Sequence, residues 1–253
     1  MNLVFDKQLA ISYKSNSQKI RVMSETWIER NVFCPYCGNS RISKLANNIP
    51  VADFKCKCCG EIFELKSKKG RFGKEVADGA YDTMIERITS YSNPDLFLLQ
   101  YDEFNVTDLI VVPKFFFVPD IIKKRRPLSP TAKRAGWTGC NIIYDKIPFQ
   151  GKIEIIKDRT EIDKKVVINN YHKAINLKID NISNRGWLFD VLNCVNKITS
   201  YYFSLNDVYE FADDLHKNHI NNNNIEAKIR QQLQILRDKG YIEFLGRGKY
   251  KKL

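Results

Sequence analysis

The chain has 253 residues, 43% of them hydrophobic, and 41 Lys+Arg against 29 Asp+Glu give a net charge of +12. This length and apolar content suit one large domain or two smaller ones, and the basic balance suits a polyanionic partner, although a merely solvated surface would read the same way. No apolar run approaches the ~18 residues that span a bilayer, and the opening MNLVFDKQLA lacks the apolar segment of a secretion signal, so a cytoplasmic protein is expected. Its seven cysteines are an odd number for a closed disulfide framework, and four of them fall into two spaced pairs, so metal ligation is the better expectation.

Taken in chain order, Ile20, Met23 and Trp27 carry helical spacing over 16–30, after a polar start at Ser15 and Asn16. Two Cys-x-x-Cys pairs follow, at Cys34–Cys37 and Cys56–Cys59. Val51 to Phe54 and Ile62 to Lys66 read as paired strands, with the second thiol pair in the turn between them. From Asp78 to about Ser90 the apolar positions Ala80, Tyr81, Met84, Ile85 and Ile88 predict a helix. Leu96–Tyr101 and Leu109–Val112 read as buried strands. A basic loop punctuated by Pro and Gly covers 124–140 and contains Trp137. Strands at 142–144 and 152–156 and a helix over about 161–178 complete a mixed α/β domain, assigned to 1–182.

The polar stretch 180–184 reads as a linker to a second domain, 183–253. There a helix over 184–198, a second opening at the Ser204 cap and a third over 225–239, closed by Gly240, precede two short strands around Gly246-Arg247-Gly248. Three helices and a glycine-turned hairpin are the layout of a winged helix.

Two Cys-x-x-Cys turns set eighteen residues apart supply four soft ligands for a tetrahedral ion, so Cys34, Cys37, Cys56 and Cys59 are assigned to structural Zn2+. Cys58 adjoins Cys59 and competes for the fourth place, but only Cys59 keeps the two-residue gap. Four thiolates would fill the ion, so chemistry must be sought elsewhere. Asp53, Glu64 and Lys66 bring two carboxylates and an ammonium to one end of the predicted hairpin, and Glu64 and Lys66 share a strand face. Hard oxygens hold Mg2+ beside substrate phosphate, and a lysine can position water or offset phosphoryl charge. By itself such a triplet also describes an ordinary solvated strand. The apolar neighbours Ile62, Phe63 and Leu65 and the following Lys68 and Lys69, candidate phosphate ligands, favour the catalytic reading.

In the last helix Ile225, Ile229, Leu233 and Leu236 form a buried stripe, leaving Arg230, Gln231 and Gln234 near the opposite face and Lys228 at its edge. Glutamine can grip adenine and arginine guanine or phosphate, while Arg247, Lys249 and Lys251 make the wing a backbone contact. In the loop, Lys133, Arg134 and Trp137 read either as a nucleic-acid surface with a stacking indole or as a basic turn with a core anchor.

Three segments, VADFKCKCCGEIFELKSKKG, PTAKRAGWTGCNI and EAKIRQQLQILRDKGYIEFLGRGKYKKL, closely resemble the DpnI-like methyl-directed type II restriction endonucleases of the PD-(D/E)XK superfamily. The resemblance runs from about residue 10 to the end. It implies a bacterial, cytoplasmic enzyme that cuts double-stranded DNA at GATC carrying N6-methyladenine, with Mg2+ at Asp53, Glu64 and the backbone carbonyl of Leu65. It further implies that both domains read methylation and that Trp137 senses the methyl groups. Ala52 stands where the superfamily has proline, which is not a metal ligand. Two rivals remain at this stage: a related nuclease with another sequence or methyl dependence, and a zinc-containing winged-helix regulator without nuclease activity.

Overall fold

The structure is a computed structural model that describes residues 1–46, 52–90 and 92–253. Its main sheet has seven strands in the order β1-β2-β3-β5-β6-β9-β10. These are β1 Ser43–Lys44, β2 Phe54–Lys55, β3 Ile62–Lys69, β5 Asp95–Asp102, β6 Asn105–Val112, β9 Ile153–Lys157 and β10 Thr160–Glu161. Among the described residues only β3 and β5 run parallel, and the connection between them contains β4, Glu75–Ala80, and α2, Tyr81–Thr89. β5 reads DLFLLQYD and is buried along all but its last residue, as a central strand covered on both faces must be. Phe63 of β3 stacks on Phe97 of β5 at 4.8 Å.

Helix α1, Asn16–Asn31, buries Met23, Trp27 and Ile28. Each such side chain contributes ~1.5–3 kcal/mol on leaving water. Ser24 Oγ of this helix meets Ser67 Oγ of β3 at 3.4 Å, so α1 covers the sheet face of Leu65 and Ser67, opposite Glu64 and Lys66. β4 belongs to a second sheet, β4-β8-β7, with β7 Ile122–Lys124 and β8 Gly139–Ile143. Helix α3, Lys164–Ile175, is capped by Asp163, whose side chain accepts from the Lys165 and Val166 N–H groups.

The chain then enters α4, Ile182–Lys197, capped by Asn181. α5, Leu205–Tyr209, α6, Ala212–Asn218, and α7, Ile225–Asp238, follow, with a sheet of β11 Tyr202–Ser204, β13 Lys249–Lys252 and β12 Ile242–Gly246. Ser204 and Asp207 form the reciprocal capping box that the sequence spacing suggests. The wing turn carries positive φ at Gly246, Arg247 and Gly248 (91°, 49° and 71°), which explains the two glycines. Phe189 of α4 stacks on Phe116 at 4.7 Å, and the Lys239 ammonium bonds the carbonyls of Asn176 and Lys178. Among the described residues, no helix is long and apolar enough to cross a membrane.

Four expectations need correction. Residues from Glu75 to Ala80 are a strand, with Val76 opposite Ile142 and Asp78 opposite Cys140, and the helix begins only at Tyr81. A pairing partner more than sixty residues away leaves no trace in local periodicity. Of the expected linker at 180–184, residues Ile182 to Asn184 already form the start of α4, with Asn181 as its cap. The second helix of the C-terminal region is broken after Tyr209 into α5 and α6, and β11 adds a third strand to the predicted pair. Finally, β2 begins at Phe54, Asp53 lies in the bend before it, and Val51 falls outside the described residues.

Candidate metal centre and carboxylate site

The two cysteine turns fold alike. Gly38 N–H donates to Cys34 O at 2.8 Å, and Gly60 N–H to Cys56 O at 2.9 Å. Each loop is then closed by a second bond: Cys34 N–H to Asn39 O, and Cys56 N–H to Glu61 O, both 2.8 Å. Gly38 has φ +72°, a left-handed conformation that favours glycine in this turn. The turns bring the Sγ atoms of Cys34, Cys37, Cys56 and Cys59 within 4.8 Å of one another, with Cys34–Cys59 and Cys37–Cys56 both at 3.6 Å. Tetrahedral Zn–S bonds of about 2.3 Å place sulfurs about 3.8 Å apart. The donor set therefore fits zinc in both geometry and softness. Burial pushes the Cys56 thiol up, but the N–H groups of Cys59 and Cys58 outweigh it and bring it to about 7, where a thiolate forms readily. Cys58 is exposed and outside the group, so Cys59 is the fourth member.

Between the turns lies a different arrangement. The β2–β3 ladder ends at Phe54 opposite Phe63. Beyond that point Asp53 N–H donates to Phe63 O at 2.8 Å, and the Leu65 N–H, left without a backbone acceptor on that side, donates to Asp53 Oδ2 at 2.7 Å. The aspartate side chain thus completes the strand edge and is fixed against β3. On the same strand Lys66 Nζ lies 2.6 Å from Glu64 Oε1 and 2.7 Å from Asp78 Oδ1, with the Asp78 side chain only 6% exposed.

Glu64 and Asp78 both pair with one ammonium, with Asp53 close by on the strand edge, and the protonation of Glu64 and Asp53 reflects it. Burial raises the Glu64 carboxyl to about 7, with Asp78 and Asp53 adding to the rise and Lys66 opposing it. Burial also raises Asp53, against the Leu65 N–H and the Lys66 charge. For Lys66 burial works downward, but Glu64 and Asp78 overcome it and hold the amine well above its usual value. Lys66 is consequently a fixed cation in this state, suited to anchoring charge and not to accepting a proton. Half-buried acids with raised proton affinity, as Asp53 and Glu64 are, would be relieved by a hard cation. Oδ2 of Asp78 is itself buried without a hydrogen-bond partner among the described residues. Oxygen donors and an orphaned carboxylate oxygen fit Mg2+ far better than a soft ion.

The structure brings Asp53, Glu64 and Lys66 together as the spacing suggests and adds Asp78, which sequence reading put at a helix start. Its position opposite Cys140 in β8 was not recoverable from local pattern. Lys68 and Lys69 lie exposed at the end of β3. In the loop, Arg134 lies 4.5 Å over the Trp137 ring, and the half-buried indole packs over the Cα of Gly139. Lys133 is exposed beside it. On α7, Gln231 and Gln234 are exposed, and Arg230 bonds Tyr209 Oη at 2.5 Å. The Lys228 ammonium, at the helix edge, bonds Asn184 Oδ1 at 2.9 Å and ties α7 to α4. Arg247 and Lys249 are exposed on the wing, while Lys251 meets Glu243 at 3.5 Å.

A four-cysteine cluster that could hold a metal, built into a mixed sheet, a half-buried carboxylate–lysine cluster beside it and a C-terminal winged helix together suggest a DNA partner and a candidate hydrolytic site. The chain matches the DpnI family model, described as the Dam-replacing family, over residues 1–180, and that of the Dam-replacing HTH domain over residues 183–252. It belongs to this DpnI-like family, and so to the restriction endonucleases that cleave DNA according to its methylation.

Proposed function

We propose that the chain is a Mg2+-dependent type II endonuclease of the PD-(D/E)XK class that hydrolyses double-stranded DNA at GATC bearing N6-methyladenine. The observation that carries this reading is the convergence of Asp53, Glu64 and Lys66 on one half-buried site where carboxylate charge exceeds what a single ammonium balances. Asp53, Glu64 and the Leu65 carbonyl would hold the ion, which when bound supplies Lewis-acid charge to the scissile phosphate. Lys66 offsets negative charge as the phosphorus becomes pentavalent, and its ion pair with Asp78 helps fix where that charge sits. Lys68 and Lys69 continue the strand as phosphate ligands. Zinc at the four cysteines holds the loops that carry Asp53 and needs no part in the reaction, since four thiolates leave it no open position.

In this reading 1–182 is the nuclease domain and 183–253 the reader, and methylation is recognised by both. Trp137, Lys133 and Arg134 approach the duplex from the first, Trp137 sensing the methyl groups. In the second, Arg230, Gln231 and Gln234 face the major groove with Lys228 at the helix edge, and Arg247, Lys249 and Lys251 follow the backbone. One methyl against an indole contributes only ~1 kcal/mol, so strong discrimination requires two methyl groups or two readers.

One plasmid prepared with and without adenine methylation at GATC, incubated with protein and Mg2+, tests the proposal. Cutting of the methylated form alone, at GATC, is expected. Cutting of both forms would remove the methyl dependence, and cutting of neither by folded, zinc-loaded protein would leave a DNA-binding regulator.

A further inference from the structure

Asp78 has an environment that folding alone does not explain. It sits where the β4–β8 pairing shifts register, between Asp78 and Ala80, which turns its side chain in beneath Glu64 and Lys66. One carboxylate oxygen accepts from the Gly79 N–H at 2.6 Å and from Lys66 at 2.7 Å. The other is buried and has no hydrogen-bond partner among the described residues. Burying an acid with an open oxygen costs stability, and a surface lysine partner would not require it.

Glu64 has two claims upon it. In the metal-free protein it pairs with Lys66 at 2.6 Å, and in the proposed reaction it binds a divalent cation. When it turns to the ion, the half-buried Lys66 ammonium, 25% exposed, loses that partner, and a partly desolvated charge left unpaired is destabilising. We propose that Asp78 is a positioning residue that keeps the Lys66 ammonium paired and in place while Glu64 is engaged by the metal, so that lysine and metal do not compete for one carboxylate. The open oxygen gives Asp78 the capacity to take the whole of the ammonium's demand at that moment. This inference rests on the proposed roles of Glu64 and Lys66.

The test is calorimetric titration of Mn2+ into zinc-loaded, DNA-free protein, for wild type, Asp78→Asn, Lys66→Met, the double variant and Glu64→Gln. Asp78→Asn should weaken Mn2+ binding on the order of tenfold or more, because the ion must then strip Lys66 of its last partner. Adding Lys66→Met should return the affinity to within about twofold of wild type, since the two changes offset each other. A merely structural role would lower the melting temperature and leave these affinities alone. An Asp78→Asn affinity within about twofold of wild type overturns the proposal. A double variant as weak as Asp78→Asn also overturns it, because Asp78 would then act as a ligand. Should Asp78→Asn fail to fold, the double variant, which buries neither charge, supplies the comparison with Lys66→Met. An unchanged affinity in Glu64→Gln would instead sink the reading of the site itself.

Discussion

Two clusters of potential metal ligands lie within one stretch of chain, and they are organised on opposite principles. The cysteine turns are complete: four soft donors at near-tetrahedral spacing, each turn closed by its own backbone bonds, with no open position. The carboxylate site is incomplete: acids raised by burial, a lysine standing between two of them, and an oxygen with no partner among the described residues. A site that holds a fold together can satisfy itself. A site that must take up an ion and a phosphate keeps its demand unsatisfied until they arrive, and that cost is met by the surrounding core.

The most severe way to break this contrast is to remove one hard ligand. Glu64→Gln or Asp53→Ala should lower cleavage by about a thousandfold or more while duplex affinity and zinc content stay unchanged. If cutting survives either substitution, the assignment of the hard-ion site is wrong. On the soft side, Cys34→Ser should lose zinc and destabilise β1–β3, since structural zinc contributes on the order of 10 kcal/mol in small domains. Cys58→Ser should retain one zinc per chain by elemental analysis, because the Cys58 side chain lies outside the cluster.

Proton linkage sharpens the contrast further. Glu64 has its carboxyl raised from 4.5 to about 7, so its contribution to the metal-free fold is fully present below 4.5 and lost as pH rises through about 7. Mg2+ binds the deprotonated form, and below about 7 its affinity should fall about tenfold per pH unit if one proton is displaced. A titration flat between pH 5.5 and 7 would mean that Glu64 is not the group displaced.

Smaller effects distinguish reader from scaffold. Trp137→Ala should lower the preference for methylated over unmethylated DNA roughly fivefold per methyl lost, with a minor change in melting temperature because the indole is half-buried. An unchanged preference ends the sensing role. Arg247→Ala or Lys249→Ala should each reduce the salt dependence of binding by about one ion. Lys228→Ala, by contrast, should cost stability of about 1 kcal/mol, since its ammonium holds Asn184.

The sequence was informative where ligand spacing is local. The two Cys-x-x-Cys turns, the Glu64-x-Lys66 alternation, the Ser204 capping box and the α7 stripe were all legible, because each is fixed within one or two turns of chain. What stayed hidden depends on distant partners. Asp78 enters the site only because β4 pairs with β8, and the Lys228 ammonium meets α4 only because Asn184 stands opposite it. The Arg134 guanidinium over Trp137 was likewise beyond any pattern, although both residues stood out singly.

The central claim is that the hard site, and not the zinc, drives cleavage. Single-turnover cutting of a methylated GATC duplex, followed against added Mg2+ for wild-type and Glu64→Gln protein of equal zinc content, addresses it most directly. The account predicts no cutting without Mg2+, a saturable rise in the wild type and none in the variant. Cutting by zinc-loaded protein without Mg2+, or an undiminished rise in Glu64→Gln, would contradict it.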